Sequence, residues 1–322
     1  MNWFSFNFQD FSYSFLSILF EGIPFLLLGS LLSGLVDAFV PAKMLTRFLP
    51  KNSGVAIVVS GLLGAVFPMC ECGSVMVVRR LIKKGLPVSC ATTYMLAAPI
   101  VNPVVALSTF AAFRGQSPWV MMSLRLSLGF FISVGIGFIV RQIPVERLLQ
   151  KNILDSLPGR RRTAFRMSAP SASGGDLMEA MEAPGSGFGT RLLGASRSAA
   201  SDFLDVAFLL VIGAAIASVF NTAVDQTRIL PLAASPALST VSLMCLAFVL
   251  ALCSTSDAFI AASLVTFPFV AKLAFLVFGA MFDIKLYFLY GLVYKRRFVV
   301  GLLIGLFVVV GLICVRLSVL NL

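Results

Sequence analysis

Residues 55–78 form an apolar run long enough to cross a bilayer at about 1.5 Å of rise per residue, yet its middle reads Phe67-Pro68-Met69-Cys70-Glu71-Cys72-Gly73-Ser74. Pro68 removes a backbone donor and Gly73 weakens a helix, so the run is expected to be a span broken at mid-depth. A carboxylate at that depth costs roughly 2.5–3.5 kcal/mol on insertion scales and must face protein or water rather than lipid. Two thiols and a carboxylate at such a break make a candidate binding site.

The broken run has a counterpart. Leu252-Cys253-Ser254-Thr255-Ser256-Asp257 again places a cysteine, hydroxyls and a carboxylate inside an apolar stretch. Upstream, Glu21 precedes Gly29 by the same interval that separates Asp205 from Gly213, with Phe25-Leu26-Leu27-Leu28 matching Phe208-Leu209-Leu210-Val211. Downstream, Ala98-Pro99-Ile100-Val101-Asn102 answers Gly279-Ala280-Met281-Phe282-Asp283 at nearly the same offset from the cysteine. Four landmarks in one order argue for an internal duplication. Polar helix breaks at corresponding positions of two halves point to a transport site.

Composition agrees. The chain is 59% hydrophobic and 12% charged, with many long apolar runs, which marks a polytopic membrane protein rather than a soluble one. No positively charged start precedes a short apolar segment, so no removable signal peptide is expected. The net charge of +11 sits mainly in short connections between spans, the positive-inside pattern, and does not indicate nucleic acid. Six cysteines lie in or beside apolar runs and read as free thiols, not as a disulfide framework. There is no histidine, which removes Ser-His-Asp and Cys-His catalysis and imidazole metal ligands together. Proton coupling is then left to carboxylates, thiols or hydroxyls.

The expected architecture is all-α, with about eight spans in two repeats of four. The first repeat, residues 1–140, has spans near 11–40, 55–78, 88–113 and 118–140. Residues 141–200 carry Gly159-Arg160-Arg161-Arg162 and Pro184-Gly185-Ser186-Gly187, the composition of a largely disordered linker. The second repeat, residues 201–322, has spans near 203–220, 237–265, 267–290 and 298–320. Lys and Arg counts place both termini and the linker in the cytoplasm.

Thiolates select soft partners: monovalent copper, zinc, or trivalent arsenic and antimony. Cys70 and Cys72 can face one ligand only if the helix is unwound between them, and Cys253 is their counterpart. Glu71, Asp257 and Asp283, buried at mid-span, suit reversible protonation, while Glu21 and Asp205 lie nearer an interface. Lys285, two residues after Asp283, offers a simpler reading in which it neutralises that acid. Arg125 either snorkels to the interface or pairs with an acid such as Glu71. Pro99 and Asn102 order a second break, or contact substrate. Ser254, Thr255 and Ser256 are candidate ligands, or bond backward to helix carbonyls.

Cys70-Glu71-Cys72-Gly73, Lys84-Gly85 and Ala97-Ala98-Pro99-Ile100-Val101-Asn102-Pro103 resemble the signature of a predicted-permease family that includes bacterial organoarsenical efflux permeases. Cys253-Ser254-Thr255-Ser256-Asp257-Ala258-Phe259 and Phe278-Gly279-Ala280-Met281-Phe282-Asp283-Ile284-Lys285 resemble its second-half signature. The resemblance implies an eight-span permease of the bacterial inner membrane. It further implies that Cys70, Cys72 and Cys253 take the part of the membrane cysteines used by the exporters of trivalent organoarsenicals.

The reading is a secondary transporter that exports a small thiophilic solute, with Glu71, Asp257, Glu21 and Asp205 as proton-coupling candidates. No Gly-x-x-x-x-Gly-Lys-Ser/Thr element is present, so ATP hydrolysis by this chain is not expected; no cofactor and no resident metal are expected either. The expected partners are the solute and the bilayer, and a homo-oligomer is compatible with them. Two alternatives stand beside it: a soft-metal-ion permease, and a thiol–disulfide relay through Cys70, Cys72 and Cys253.

Overall fold

A computed structural model describes residues 8–39, 50, 52–67, 69–155, 188–223 and 235–319. Among these residues there are fourteen helices, and the only β pairing is a single bridge between Leu149 and Tyr294. The protein is an all-α membrane protein.

Helix α1 (Phe8–Phe39) is followed by α2 (Ser53–Val66) and α3 (Glu71–Lys83), which are the two pieces of the first broken run. The run at 88–113 likewise divides into α4 (Val88–Ala97) and α5 (Pro103–Ala112), and α6 (Pro118–Arg141) is continuous. Two short helices follow, α7 (Val145–Leu148) and α8 (Lys151–Leu154). In the second half, α9 (Phe188–Ala223) precedes α10 (Pro236–Leu250) and α11 (Asp257–Ser263), then α12 (Phe269–Met281) and α13 (Ile284–Tyr290), and finally α14 (Arg296–Val319). Breaks therefore fall at corresponding places in both halves.

Three stretches are long and apolar enough to cross a bilayer unaided: Phe8–Leu31 of α1, Pro118–Arg141 of α6 and Arg296–Ser318 of α14. They turn side chains such as Leu31, Phe131 and Ile304 outward, as a lipid-facing surface requires. Three of the half-helices beside the breaks are largely enclosed. Every residue of α4 is buried, as is α3 from Glu71 to Val78 and α12 from Val270 to Phe278.

The packing repeats as the sequence does. Helix α2 lies against α4 and α6, and α10 lies against α12 and α14. The halves then cross over, because α3 of the first meets α13 of the second while α11 of the second meets α5 of the first. The most extensive contact between the halves runs along α1 and α9.

Residues 144–155, inside the stretch expected as a linker, fold onto the second half. Leu148, Leu149 and Ile153 are buried. The Gln150 amide donates to the Val293 carbonyl at 3.1 Å and the Lys295 amide donates to the Leu148 carbonyl at 2.8 Å. Helix α9 begins at Phe188, upstream of the expected span. The Arg160–Arg162 cluster lies outside the described residues.

Candidate functional site

Each break ends with the start of a short helix, and at three of the four the side chain before the helix caps it. Cys70 caps α3, its Sγ accepting from the Gly73 amide at 3.3 Å. Asn102 caps α5 through Oδ1 and the Val104 amide at 2.9 Å, with Pro103 at the first helical position. Ala251 closes α10 in the left-handed region at φ 48°, which turns Cys253 and Ser254 inward. Asp283 caps α13, its Oδ1 accepting from the Leu286 amide at 2.7 Å. Asn102 and Asp283, paired in the duplication, thus do the same job.

Two buried ion clusters tie these starts together. Lys285 Nζ lies 3.1 Å from Glu71 Oε1 and 3.3 Å from Asp283 Oδ2, and also donates to the carbonyls of Ala251 and Leu252 at 2.9 and 3.1 Å. Arg125, wholly buried, donates through Nη2 to both oxygens of Asp257 at 3.0 and 2.8 Å and to the Ser254 carbonyl at 2.9 Å. Its Nη1 reaches Thr109 Oγ1 at 2.8 Å. Ser254 joins the clusters, because its Oγ donates to Glu71 Oε2 at 3.3 Å.

Residues 7–318 match the family described as "Predicted permease". The chain belongs to this predicted-permease family. It is 38% identical to "UPF0718 protein YcgR" of Bacillus subtilis over 92% of each chain. It is 30% identical to the "Putative two-component membrane permease complex subunit" of Streptococcus mutans over 88% of this chain and 87% of that one. No solved structure matches it.

The permease holds two open cavities against these groups. One, of about 320 Å³ with its mouth included, is lined by Cys70, Glu71, Cys72, Cys253 and Lys285, with Gly22 of α1 at its side. The other, of about 580 Å³, is lined by Met69, Cys70, Asn102, Cys253, Ser254 and Thr255, with Gly29 of α1 at its side. Cys70 and Cys253, one from each half, are common to both cavities. The first cavity carries the charge; the second is lined by sulfur, hydroxyl, amide and hydrocarbon.

The expected site residues distribute around this pair of cavities. Cys72 lines only the charged cavity, one helical step inside α3. Pro99 is buried in the turn that presents Asn102. Asp257 and Asp283 stand behind the cavities, held by Arg125 and Lys285. Thr255 Oγ1 lies 3.6 Å from Cys253 Sγ, while Ser256 is the residue before α11. The side chains of Glu21 and Asp205, and Pro68 altogether, lie outside the described residues. Arg125 does not snorkel, and its acid is Asp257 rather than Glu71. Lys285 and Met69 were not in the expected site. The Lys285 signal was its position two residues after Asp283; for Met69 it was adjacency to Cys70 at the break.

Proposed function

We propose that this permease is a secondary transporter of the bacterial inner membrane that exports a small thiophilic solute, a trivalent organoarsenical being the class that fits best. The observation that carries the reading is that Cys70 and Cys253, from opposite halves, each line both cavities. A soft trivalent centre takes thiolates in preference to oxygen donors, and two thiols reached from either cavity let it exchange ligands on entry and again on exit. The uncharged cavity suits the organic substituent, since Met69, Val104 and Val105 line it beside Asn102. Helix starts and broken spans between two repeats are the usual construction of an alternating-access site.

The test is arsenical sensitivity of a transporter-deficient bacterium expressing the chain, across methyl- and phenylarsenite, arsenite and antimonite. Wild type should confer resistance to the organic compounds, and Cys70→Ser and Cys253→Ser should abolish it with protein still in the membrane. Cys314→Ser, buried away from both cavities, should not. Full resistance in both site variants would remove the thiols from the mechanism. Resistance to none of the compounds would discard arsenicals as cargo.

A further inference from the structure

Close contacts fix the direction in which each half-helix runs. Gly137, near the end of α6, abuts Ile57 of α2 and Thr93 of α4, while Gly129, further back along α6, abuts Ile100 just past α4. Gly61 of α2 abuts Phe130 and Val134, and Gly64 at its end abuts Ala98. Helices α2 and α4 therefore run side by side, both against α6. Helix α3 runs back the other way, because only residues 84–87 separate its end from the start of α4. Helices α2 and α3 thus form a hairpin, with both ends at the face where α6 ends. By contrast α4 and α5 follow one another along all of α6, since Thr109 of α5 reaches Arg125 at 2.8 Å and Phe110 meets Trp119 at 4.8 Å between ring centres. Together they measure about 30 Å, one bilayer core.

The second half has the same construction. Gly279 of α12 abuts Ala247 of α10, and Phe282 stacks on Phe248 at 6.4 Å. Further along α14, Gly311 lies against Met244, whereas Phe307 meets Phe278. Helices α10 and α12 run together, α14 runs against them, and residues 264–268 return α11 to the start of α12. The second hairpin is α10–α11, and α12–α13 is the second broken crossing.

The hairpins come from opposite faces. Residues 144–155 follow α6 and bond to residues 291–295, so α6 and α13 end at one face, where Thr92 Oγ1 also lies 2.9 Å from the Tyr294 hydroxyl. At the other, Gln116 before α6 donates to the Ala262 carbonyl of α11 at 3.1 Å and accepts from Lys272 of α12 at 2.8 Å. The tips meet between the faces, with Ser254 Oγ 3.3 Å from Glu71 Oε2. Helices α1 and α9, of 32 and 36 residues, are long enough to cross and lead to the bases of α2 and α10. Charge distinguishes the faces. Of the 25 Lys and Arg residues, Arg114, Arg228, Lys272 and Arg316 fall on the side of the second hairpin's base, and Arg125 and Lys285 are buried between. All the others fall on the side of the first, which is therefore cytoplasmic.

We propose that α2–α3 and α10–α11 are re-entrant hairpins, the first entering from the cytoplasmic face and the second from the outer face, and that each gates the path to the shared thiols from its own side. Six crossings result, three in each half, instead of the eight expected from apolar runs. An odd number per half inverts the second half and puts the start of α1 and the end of α14 outside, opposite the long connection. Inverted repeats with helix breaks at the midplane are a transporter construction. Cys70 sits at one tip and Cys253 at the other. Each hairpin is also clipped near its base by a group beyond it: the outer by Gln116, the inner by α8, which rests on α3 and is held by Gln150 Nε2 to the Gly291 carbonyl at 3.0 Å. The gates rest on the permease reading; the topology does not.

The topology is tested without cargo. Alkaline phosphatase, active only outside the cytoplasm, should be active when fused after Leu322 of the full chain; eight crossings would leave it inactive. Single added cysteines are then labelled in intact cells with an impermeant maleimide, against wild type as the background. Both topologies place Ser235→Cys outside and Gly175→Cys inside, so these are the references. Val265→Cys should react as Ser235→Cys does, and Asn52→Cys should be shielded as Gly175→Cys is. An inactive fusion, or the reverse labelling at 52 and 265, overturns the proposal. Should Asn52→Cys, which loses the α2 cap, not reach the membrane, the fusion and Val265→Cys decide. For the gates, Gln116→Ala should raise labelling of Cys253 by an impermeant methanethiosulfonate in intact cells, and Gln150→Ala should raise that of Cys70 in inverted vesicles. Cys253→Ser and Cys70→Ser should remove the respective gains. Gains at the wrong face, or none, overturn the gates. Both gains in a protein that moves no arsenical remove the cargo and support the gates.

Discussion

Lys285 Nζ sits 3.1 Å from Glu71 Oε1, so a base at the start of α13 in the second half is held to an acid at the start of α3 in the first. These two residues span the crossover between the halves. The pair is buried, and Lys285 also serves Asp283 of its own half. Its nitrogen fixes the Ala251 and Leu252 carbonyls that the end of α10 leaves free, so one side chain organises three of the four breaks.

Lys285→Met should therefore be strongly destabilising. It leaves Glu71 and Asp283 without a cation and two carbonyls without a donor, and breaking a buried pair from one side costs about 3–5 kcal/mol. Thermal unfolding in detergent should show the loss. Neutralising both acids as well, with Glu71→Gln and Asp283→Asn, should recover much of it. A single variant as stable as wild type would mean that the cluster is solvated.

Arg125 and Asp257 make the second lock, between α6 and α11. Arg125→Leu should again cost about 3–5 kcal/mol, because Asp257 is then a buried charge alone. Arg125→Leu with Asp257→Leu should be more stable than either single variant, since a buried pair replaced by apolar groups is often close to neutral. Denaturation of the four proteins gives the coupling directly. Additive losses would show that the two side chains do not depend on one another.

The breaks were legible in the chain because proline, glycine and polar residues inside apolar runs leave little choice. Asn102 and Asp283 were matched by the duplication before their common capping role was visible. The ion pairing was not legible. Whether Arg125 takes Glu71 or Asp257 depends on how two halves separated by a long connection dock, and no local pattern encodes that. Lys285 was tied to Asp283 by sequence proximity, yet its contact with Glu71 crosses between halves. The expectation that Cys70 and Cys72 share a ligand depended on an unwound backbone. In the structure the unwinding stops at Cys70 and Cys72 enters the helix, yet both line the charged cavity.

Close approach at two matched glycines gives a third prediction. A Cβ on Gly29 would lie 2.8 Å from Gly73 Cα, and one on Gly213 would lie 2.9 Å from Lys285 Cα. Both obstacles are backbone, which no rotamer change relieves, so α1 must move from α3, or α9 from α13. Gly29→Ala and Gly213→Ala should each cost about 1–3 kcal/mol. They should also reduce transport, because Gly29 lines the uncharged cavity and Gly213 abuts Lys285. Gly305→Ala, with nothing within 4 Å of its added carbon, is the control and should match wild type in unfolding and transport.

The duplication allows stability to be separated from transport at Asn102. Asn102→Ala removes the bond to the Val104 amide and should cost about 0.5–2 kcal/mol, the usual price of a lost N-cap. Asn102→Asp keeps the cap, as Asp283 does at the matching helix, and a negative group is welcome at a helix start. It should thus be the more stable of the two. It also puts a carboxylate in the cavity that Cys70 and Cys253 share, where it repels a thiolate forming on either sulfur. Arsenical efflux should fall further in Asn102→Asp than in Asn102→Ala, the reverse of the order in unfolding. If both properties fall in the same order, Asn102 acts only as a cap, and the neutral character of that cavity has no part in handling the solute.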